Sequence, residues 1–379
     1  MDVPIDGFCT PRFARLRDAF ARNFCDHAER GGAVTIWHRG ETVVDLWGGW
    51  SDVARNAAWQ RDTLVNVFSV SKALCAIACM RLVDDGRLDL DAPVARYWPQ
   101  FAAGGKQDVT VRQLLSHQAG LPAIRKPLPD GAALEWNTIV EALAEQEPWW
   151  APGTAHGYHV NTYGFLAGEL VRRIDGRSIG TLLREDVTGP LGADIHIGLP
   201  ACEHHRVSDF LWPGNPVQPV LDSAEAVMRW NTYWNPPGFS GAHWVNHPRW
   251  REAEVPSTNG HGNARAVARV YAALANGGAI DGVRILSREA LAAATQEQVN
   301  GPDLINLRPS RFGIGFQLTQ PERPLGPNPG AFGHFGAGGS LGYCDPQAGI
   351  AFGYVTNDMG PRWQNPRNRA LIAALYESL

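Results

Sequence analysis

Between residues 73 and 83 the chain reads Ala-Leu-Cys-Ala-Ile-Ala-Cys-Met-Arg-Leu-Val, apolar on almost every side of a helix. Such a helix belongs inside a protein rather than on its surface. Gly86, behind Asp84-Asp85, is its stop signal. Other helices read as amphipathic. Phe13, Leu16, Phe20 and Phe24 recur at helical spacing within residues 11–29, and residues 163–174 and 263–275 also read as helix. A last helix, 367–379, sets Leu371, Leu375 and Leu379 on one stripe. Residues 135–176 are helical apart from an interruption at 148–158, while 88–94 and 109–122 read as turns and short helices.

Strand patterns sit at the two ends. Residues 32–38 and 42–47 flank an Arg39-Gly40 turn and predict a hairpin, and 312–318, 334–340 and 350–356 are strand-like. Strands at both ends with helices between them imply one shared sheet, built from 1–66 and 263–379, into which a mostly helical domain, 67–262, is inserted. Residues 200–260 are dense in Pro and Trp without clean periodicity, and predict a long, partly ordered excursion that walls the site. The site itself is expected between the two domains.

Composition narrows the function. At 379 residues, 44% apolar and 19% charged, the chain has the makeup of a globular protein large enough for two substantial domains. A net charge of -4 leaves no basic footprint for nucleic acid or acidic membrane surfaces. No stretch approaches the ~20 apolar residues of a membrane span, and residues 1–9 carry acids where a signal peptide needs cations. A cytoplasmic monomer or homodimer acting on a small molecule is the expectation. The six cysteines are scattered without zinc-like spacing, and Cys75 and Cys79, one turn apart, read as packing thiols. His204-His205 and His243-x-x-x-His247 lack a partnering carboxylate pattern, so no metal and no cofactor is expected.

Chemistry enters at the mouth of the buried helix, where Ser69 and Lys72 stand three residues apart. Positions i and i+3 share a helix face, so the lysine can reach the serine hydroxyl. A serine is a poor nucleophile until a base takes its proton. Burial and the positive helix N-terminus both disfavour an ammonium, which suits Lys72 to that task. The competing structural reading makes Ser69 a helix cap and lets Lys72 snorkel to water.

Several motifs then agree in order. Ser69-Val-Ser-Lys72, Leu114-Leu-Ser-His-Gln-Ala-Gly-Leu-Pro122, Ala151-Pro-Gly-Thr154 followed by Tyr158, and His334-Phe-Gly336 together resemble the serine β-lactamase and penicillin-binding-protein superfamily. The chain is most similar to its class C β-lactamase-like esterases, the family VIII carboxylesterases. The resemblance implies an α/β plus all-α, β-lactamase/DD-peptidase-like fold, an antiparallel sheet flanked by N- and C-terminal helices with an inserted helical domain. It also implies Ser69 as nucleophile, Lys72 and Tyr158 sharing its proton, and an oxyanion hole made by the backbone N–H groups of Ser69 and Ala337. His334 and Gly336 would bind substrate, Gly336 by letting the backbone approach it closely. Trp149 and Trp150 read as core side chains, one of them a candidate for the acyl pocket.

Two departures bear on substrate. Val160 stands where the superfamily carries an asparagine two residues after the tyrosine, with Asn161 next to it, and His334 replaces a lysine. His334 would be mostly neutral at pH 7 unless a carboxylate raised its pKa. Both changes favour neutral esters of short to medium acyl chains. An adjacent cation would favour the Tyr158 phenolate. The alternatives are a β-lactamase, amidase or acyltransferase on the same residues, and a non-catalytic module that kept the fold. Gly338-Gly-Ser-Leu-Gly342 satisfies Gly-x-Ser-x-Gly, but a strand rather than a helix follows Ser340 and no histidine lies beyond His334, which rejects it as a nucleophile elbow.

Overall fold

Residues 3–214, 216–361 and 363–379 are described by the computed structural model. The buried helix spans Ser71–Asp84, and every residue from Ser71 to Leu82 except Arg81 is buried. Its small residues let neighbours approach closely. Cys79 Sγ lies 3.6 Å from the Ala167 carbonyl on helix Thr162–Asp175, and a Cβ on Gly315 would fall 2.6 Å from the Ala76 Cβ.

One antiparallel sheet joins the two ends of the chain. Its order is Ile5–Cys9, Glu41–Gly49, Gly31–His38, Ile350–Thr356, Leu341–Asp345, Phe332–Phe335, Gln317–Leu318, Pro309–Phe312 and Val299–Pro302. Strand Gly31–His38 pairs with the C-terminal strand from Ile350↔His38 to Thr356↔Gly32. Val34, Ile36, Phe352 and Tyr354 pack with Phe20, Leu371 and Leu375 of helices Ala14–Asp26 and Pro366–Tyr376. Helix Ala264–Ala275 also lies against the sheet, so close that a Cβ on Gly353 would meet the Ala264 carbonyl oxygen at 2.2 Å. This is the β-lactamase/DD-peptidase-like arrangement that the motifs implied. The helical region between the strands is tied off where Val65–Asn66 and Ile195–His196 both pair with His261–Gly262. Among the described residues, no helix is long and apolar enough to cross a membrane.

Several elements differ from the sequence expectation, each for a local reason. Residues 312–318 are not one strand: Pro309–Phe312 and Gln317–Leu318 form a hairpin with Phe312 opposite Gln317, turned through Gly313 to Phe316 with Gly315 at φ +70°. Strand Phe332–Phe335 likewise ends before a turn at Ala337–Gly339, where Gly338 and Gly339 take positive φ. The last helix stops at Tyr376, which leaves Leu379 exposed rather than on the apolar stripe. Edge strand Ile5–Cys9 has no apolar alternation to announce it. The Pro/Trp-rich stretch holds more regular structure than its sequence suggests, with helices Ala224–Trp234, capped by Ser223, and Pro248–Glu252.

Candidate active site

The approach to Ser69 is a strained turn held by its neighbours. Phe68 has φ +49°, an uncommon and costly conformation for a bulky residue. Ser71 Oγ donates to the Phe68 carbonyl at 2.6 Å and accepts the Gly260 N–H at 3.0 Å. The Val67 N–H reaches the Gly260 carbonyl at 2.8 Å, and the Phe68 ring packs edge-on against Phe210 at 4.8 Å. Ser69 therefore sits in a 3₁₀ turn, Phe68–Val70, one turn ahead of the α-helix proper.

That geometry answers the competing structural reading. No side chain caps the helix, and Lys72 does not reach water but is fully buried. Its Nζ lies 3.0 Å from Ser69 Oγ and donates to the carbonyls of Val160 at 2.6 Å and Ser257 at 3.1 Å. Among the described residues no carboxylate pairs with it. Burial lowers its pKa from 10.5 to about 7.

Tyr158 closes the cluster. Lys72 Nζ stands 4.8 Å from its ring centroid, and its hydroxyl faces His334 Nε2 at 3.5 Å. Burial pushes the phenol pKa well above 10, and a hydrogen bond with Ser69 opposes this without cancelling it. Burial thus works against the phenolate expected from the nearby cation. His334 is also relocated. It is fully buried behind Tyr158 and does not line the cavity, burial holds its pKa well below the ordinary histidine value, and no carboxylate raises it. Its Nδ1 faces the Phe335 carbonyl at 2.8 Å, which can only accept, so Nδ1 carries the proton and Nε2 turns its lone pair toward Tyr158.

Ser69 opens into a cavity of about 490 Å³. Phe68, Trp212, Tyr233, Trp234 and Trp363 make its aromatic wall, with Val160, Met359, Pro213 and Pro216, and no charged side chain lines it among the described residues. Trp149 and Trp150, candidates for this wall, lie elsewhere. Trp149 donates to the Ala123 carbonyl beneath Arg125, and Trp150 donates to the Ala155 carbonyl. Gly336 is also not part of the wall. Its missing Cβ makes room for the Val67 carbonyl, which a Cβ would meet at 2.4 Å, so the glycine seats the strand end against the nucleophile's own turn. Ala337, the next residue, then shares the cavity with Ser69, and among the described residues neither of their N–H groups donates to a protein acceptor.

Further residues support this site, and the first of them, Asp303, carried no sequence signal. Asp303, buried between two strands, accepts the Tyr158 N–H at 3.1 Å, the N–H groups of Ile305 and Asn306 at 2.9 Å and the Ser310 hydroxyl at 2.8 Å. Asn161, next to the expected asparagine position, is fully buried: it donates to the Thr232 carbonyl and Ser240 Oγ and accepts the Thr258 hydroxyl. The Leu114–Pro122 motif lies under Tyr158, with the rings of His117 and Tyr158 5.1 Å apart and His117 Nδ1 accepting the His159 N–H. Ser340, the rejected nucleophile, is buried just ahead of strand Leu341–Asp345 and accepts the Thr356 N–H. Among the described residues no group of three His, Cys, Asp or Glu side chains is placed to hold a metal ion.

The antiparallel sheet with its flanking helices is that of the serine β-lactamase-like hydrolases. The Beta-lactamase family model matches residues 16–377, and the chain belongs to that family. It is 38% identical over 359 residues to the Mycobacterium tuberculosis protein "Esterase/beta-lactamase LipL", covering 93% of this chain and 82% of that one. The crystal structure of a family VIII carboxylesterase superposes with a TM-score of 0.92 at 44% identity, covering 99% of this chain and 100% of that one. A penicillin-binding protein homologue from Caulobacter crescentus superposes with a TM-score of 0.91 at 41% identity, covering 99% and 100%.

Proposed function

We propose that the protein is a serine carboxylesterase that cleaves neutral esters of short to medium acyl chains through an acyl-enzyme on Ser69. The observation that carries this reading is a serine hydroxyl 3.0 Å from a buried lysine whose pKa is brought to about 7, at the floor of an aromatic cavity. Lys72, partly free amine at neutral pH, takes the Ser69 proton as Oγ attacks the ester carbonyl. The N–H groups of Ser69 and Ala337 hold the oxyanion, and losing one such donor typically costs about 3 kcal/mol. Tyr158 gives its proton to the departing alcohol and recovers one from Lys72, and water then frees the acyl group. His334 serves as the neutral neighbour of the Tyr158 hydroxyl rather than as a substrate anchor. The esterases among the similar proteins support the same reading.

Lactamase, amidase and acyl-transfer chemistry would use the same residues, and the printed name of the Mycobacterium relative joins both activities. An uncharged wall gives no counter-ion for the carboxylate of a cephalosporin, which favours the ester. Hydrolysis of p-nitrophenyl esters from acetate to octanoate, beside a chromogenic cephalosporin, tests this. Fast ester turnover, lost in Ser69→Ala, with little cephalosporin cleavage is the expected result. Ester turnover unchanged in Ser69→Ala would sink the nucleophile, and strong cephalosporin cleavage with weak ester activity would replace esterase by lactamase.

A further inference from the structure

Arg323 is a buried cation that nothing in the reaction described above uses. It is 7% exposed and among the described residues forms no ion pair, although arginines buried this deeply are usually paired. Nη2 donates to the Pro309 carbonyl at 2.8 Å, while Nη1 is buried without a partner. The guanidinium stands 5.8 Å from the Trp363 ring centroid, and that indole packs edge-on against the Tyr158 ring at 5.2 Å. A permanent positive charge thus sits one indole away from the proposed proton donor.

Of the groups around Tyr158, only the Ser69 hydrogen bond works with Arg323 to ease release of its proton, and burial outweighs both. Ser69 and Lys72 face it from the nucleophile's turn and helix, neutral His117 and His334 flank its ring, Phe312 stacks on it at 5.7 Å, and Tyr233 and Asp303 act to hold the proton on. Around Arg323 the charged groups are Arg308, Asp303 and Glu322. A nearby cation stabilises a phenolate and so strengthens the phenol as an acid.

We propose that Arg323 is a positioning residue for the acid step, its unpaired guanidinium acting past Trp363 on the Tyr158 hydroxyl to make it a better proton donor. This rests on the esterase reading. In that step the ester C–O bond breaks, the Tyr158 O–H proton goes to the leaving alkoxide, and the phenolate is reprotonated by the Lys72 ammonium formed when Ser69 was deprotonated. Direct field stabilisation of Tyr158 agrees with the direction in which Arg323 moves its pKa, downward against the larger rise from burial.

Leaving groups separate this role from a structural one. A p-nitrophenolate departs without protonation, whereas an ethoxide needs the proton. Arg323→Gln is expected to lower kcat/KM for ethyl butyrate by about tenfold or more and that for p-nitrophenyl butyrate by less than about threefold, with Arg323→Lys close to wild type on both. Equal losses on the two esters, or no loss on either, overturns the proposal while leaving the esterase reading intact. A wild type inactive on both esters overturns that reading and this one with it. Should Arg323→Gln not fold, Arg323→Met keeps an apolar stem beside the indole, drops the charge together with the hydrogen bonds to Pro309 and Gln320, and is carried through the same comparison.

Discussion

A lysine buried with no carboxylate paired to it among the described residues lowers the stability of the fold. Displacing Lys72 from 10.5 to about 7 corresponds to about 5 kcal/mol as an upper order of magnitude. Its folded pKa lies below its unfolded one, so between pH 7 and 10.5 the unfolded chain binds more protons at this residue, and its penalty shrinks as pH rises through that window. Two outcomes are expected from one pair of proteins. The acid limb of kcat/KM should fall with a midpoint near pH 7, because protonated Lys72 cannot act as base and burial holds His117, His159 and His334 below their ordinary range. Urea unfolding should find inactive Lys72→Met more stable than wild type by about 3 kcal/mol at pH 6.5, with a smaller margin at pH 9.5. An acid limb near pH 5 would assign the base elsewhere, and a margin that grew with pH would refute the sign. Ser69 and Lys72 were legible because spacing alone brings i and i+3 together. The protonation of Tyr158 was not, because burial of its ring comes from His117, Phe312 and Trp363, far apart in sequence.

The element that aims Ser69 is a turn in which Phe68 is held at positive φ by a clamp 189 residues away, Ser71 to Gly260. Removing the Ser71 hydroxyl leaves the Gly260 N–H without its partner and takes away a donor to the Phe68 carbonyl, both in buried surroundings. Ser71→Ala should therefore cost about 2 kcal/mol, within the usual penalty for an unsatisfied buried group. Relaxation of Phe68 would also move Ser69 relative to Lys72, so kcat should fall while KM changes little. Chemical denaturation and ester kinetics on that variant check both, and stability within about 0.5 kcal/mol of wild type would mean that the clamp is not what holds the turn. This clamp has no sequence signature, since a serine inside Ser-Val-Ser-Lys reads as part of the motif. The helices were more legible than the strands. Phe312-Gly-Ile-Gly-Phe alternates as a strand should, yet its two glycines supply the turn that folds it into a hairpin.

At the scale of the whole molecule, the cavity is assembled from parts that meet only when the fold closes. Ser69 and Val160 come from the helical region, Ala337, Met359 and Trp363 from the C-terminal segment, and Trp212, Tyr233 and Trp234 from the Pro/Trp-rich excursion. The wall expected of that excursion is present, but the residues that form it could not be read, because tryptophans without periodicity say that a surface is packed and not which surface. Asn161 shows how it is seated: one buried amide joins the Tyr158 segment to Thr232, Ser240 and Thr258. Trp234, stacked on Trp230 at 5.5 Å on the same helix, then offers a way to change volume without touching the chemistry. Trp234→Ala enlarges the cavity at one of its lining residues, and each further methylene buried there is worth about 0.8 kcal/mol, close to fourfold. The ratio of kcat/KM for p-nitrophenyl octanoate over butyrate should accordingly rise by about tenfold, with the acetate rate within about threefold of wild type. An unchanged ratio would mean that the acyl chain runs along another wall. A proportional fall for every ester would mean that Trp234 supports the fold of the excursion rather than limiting the chain.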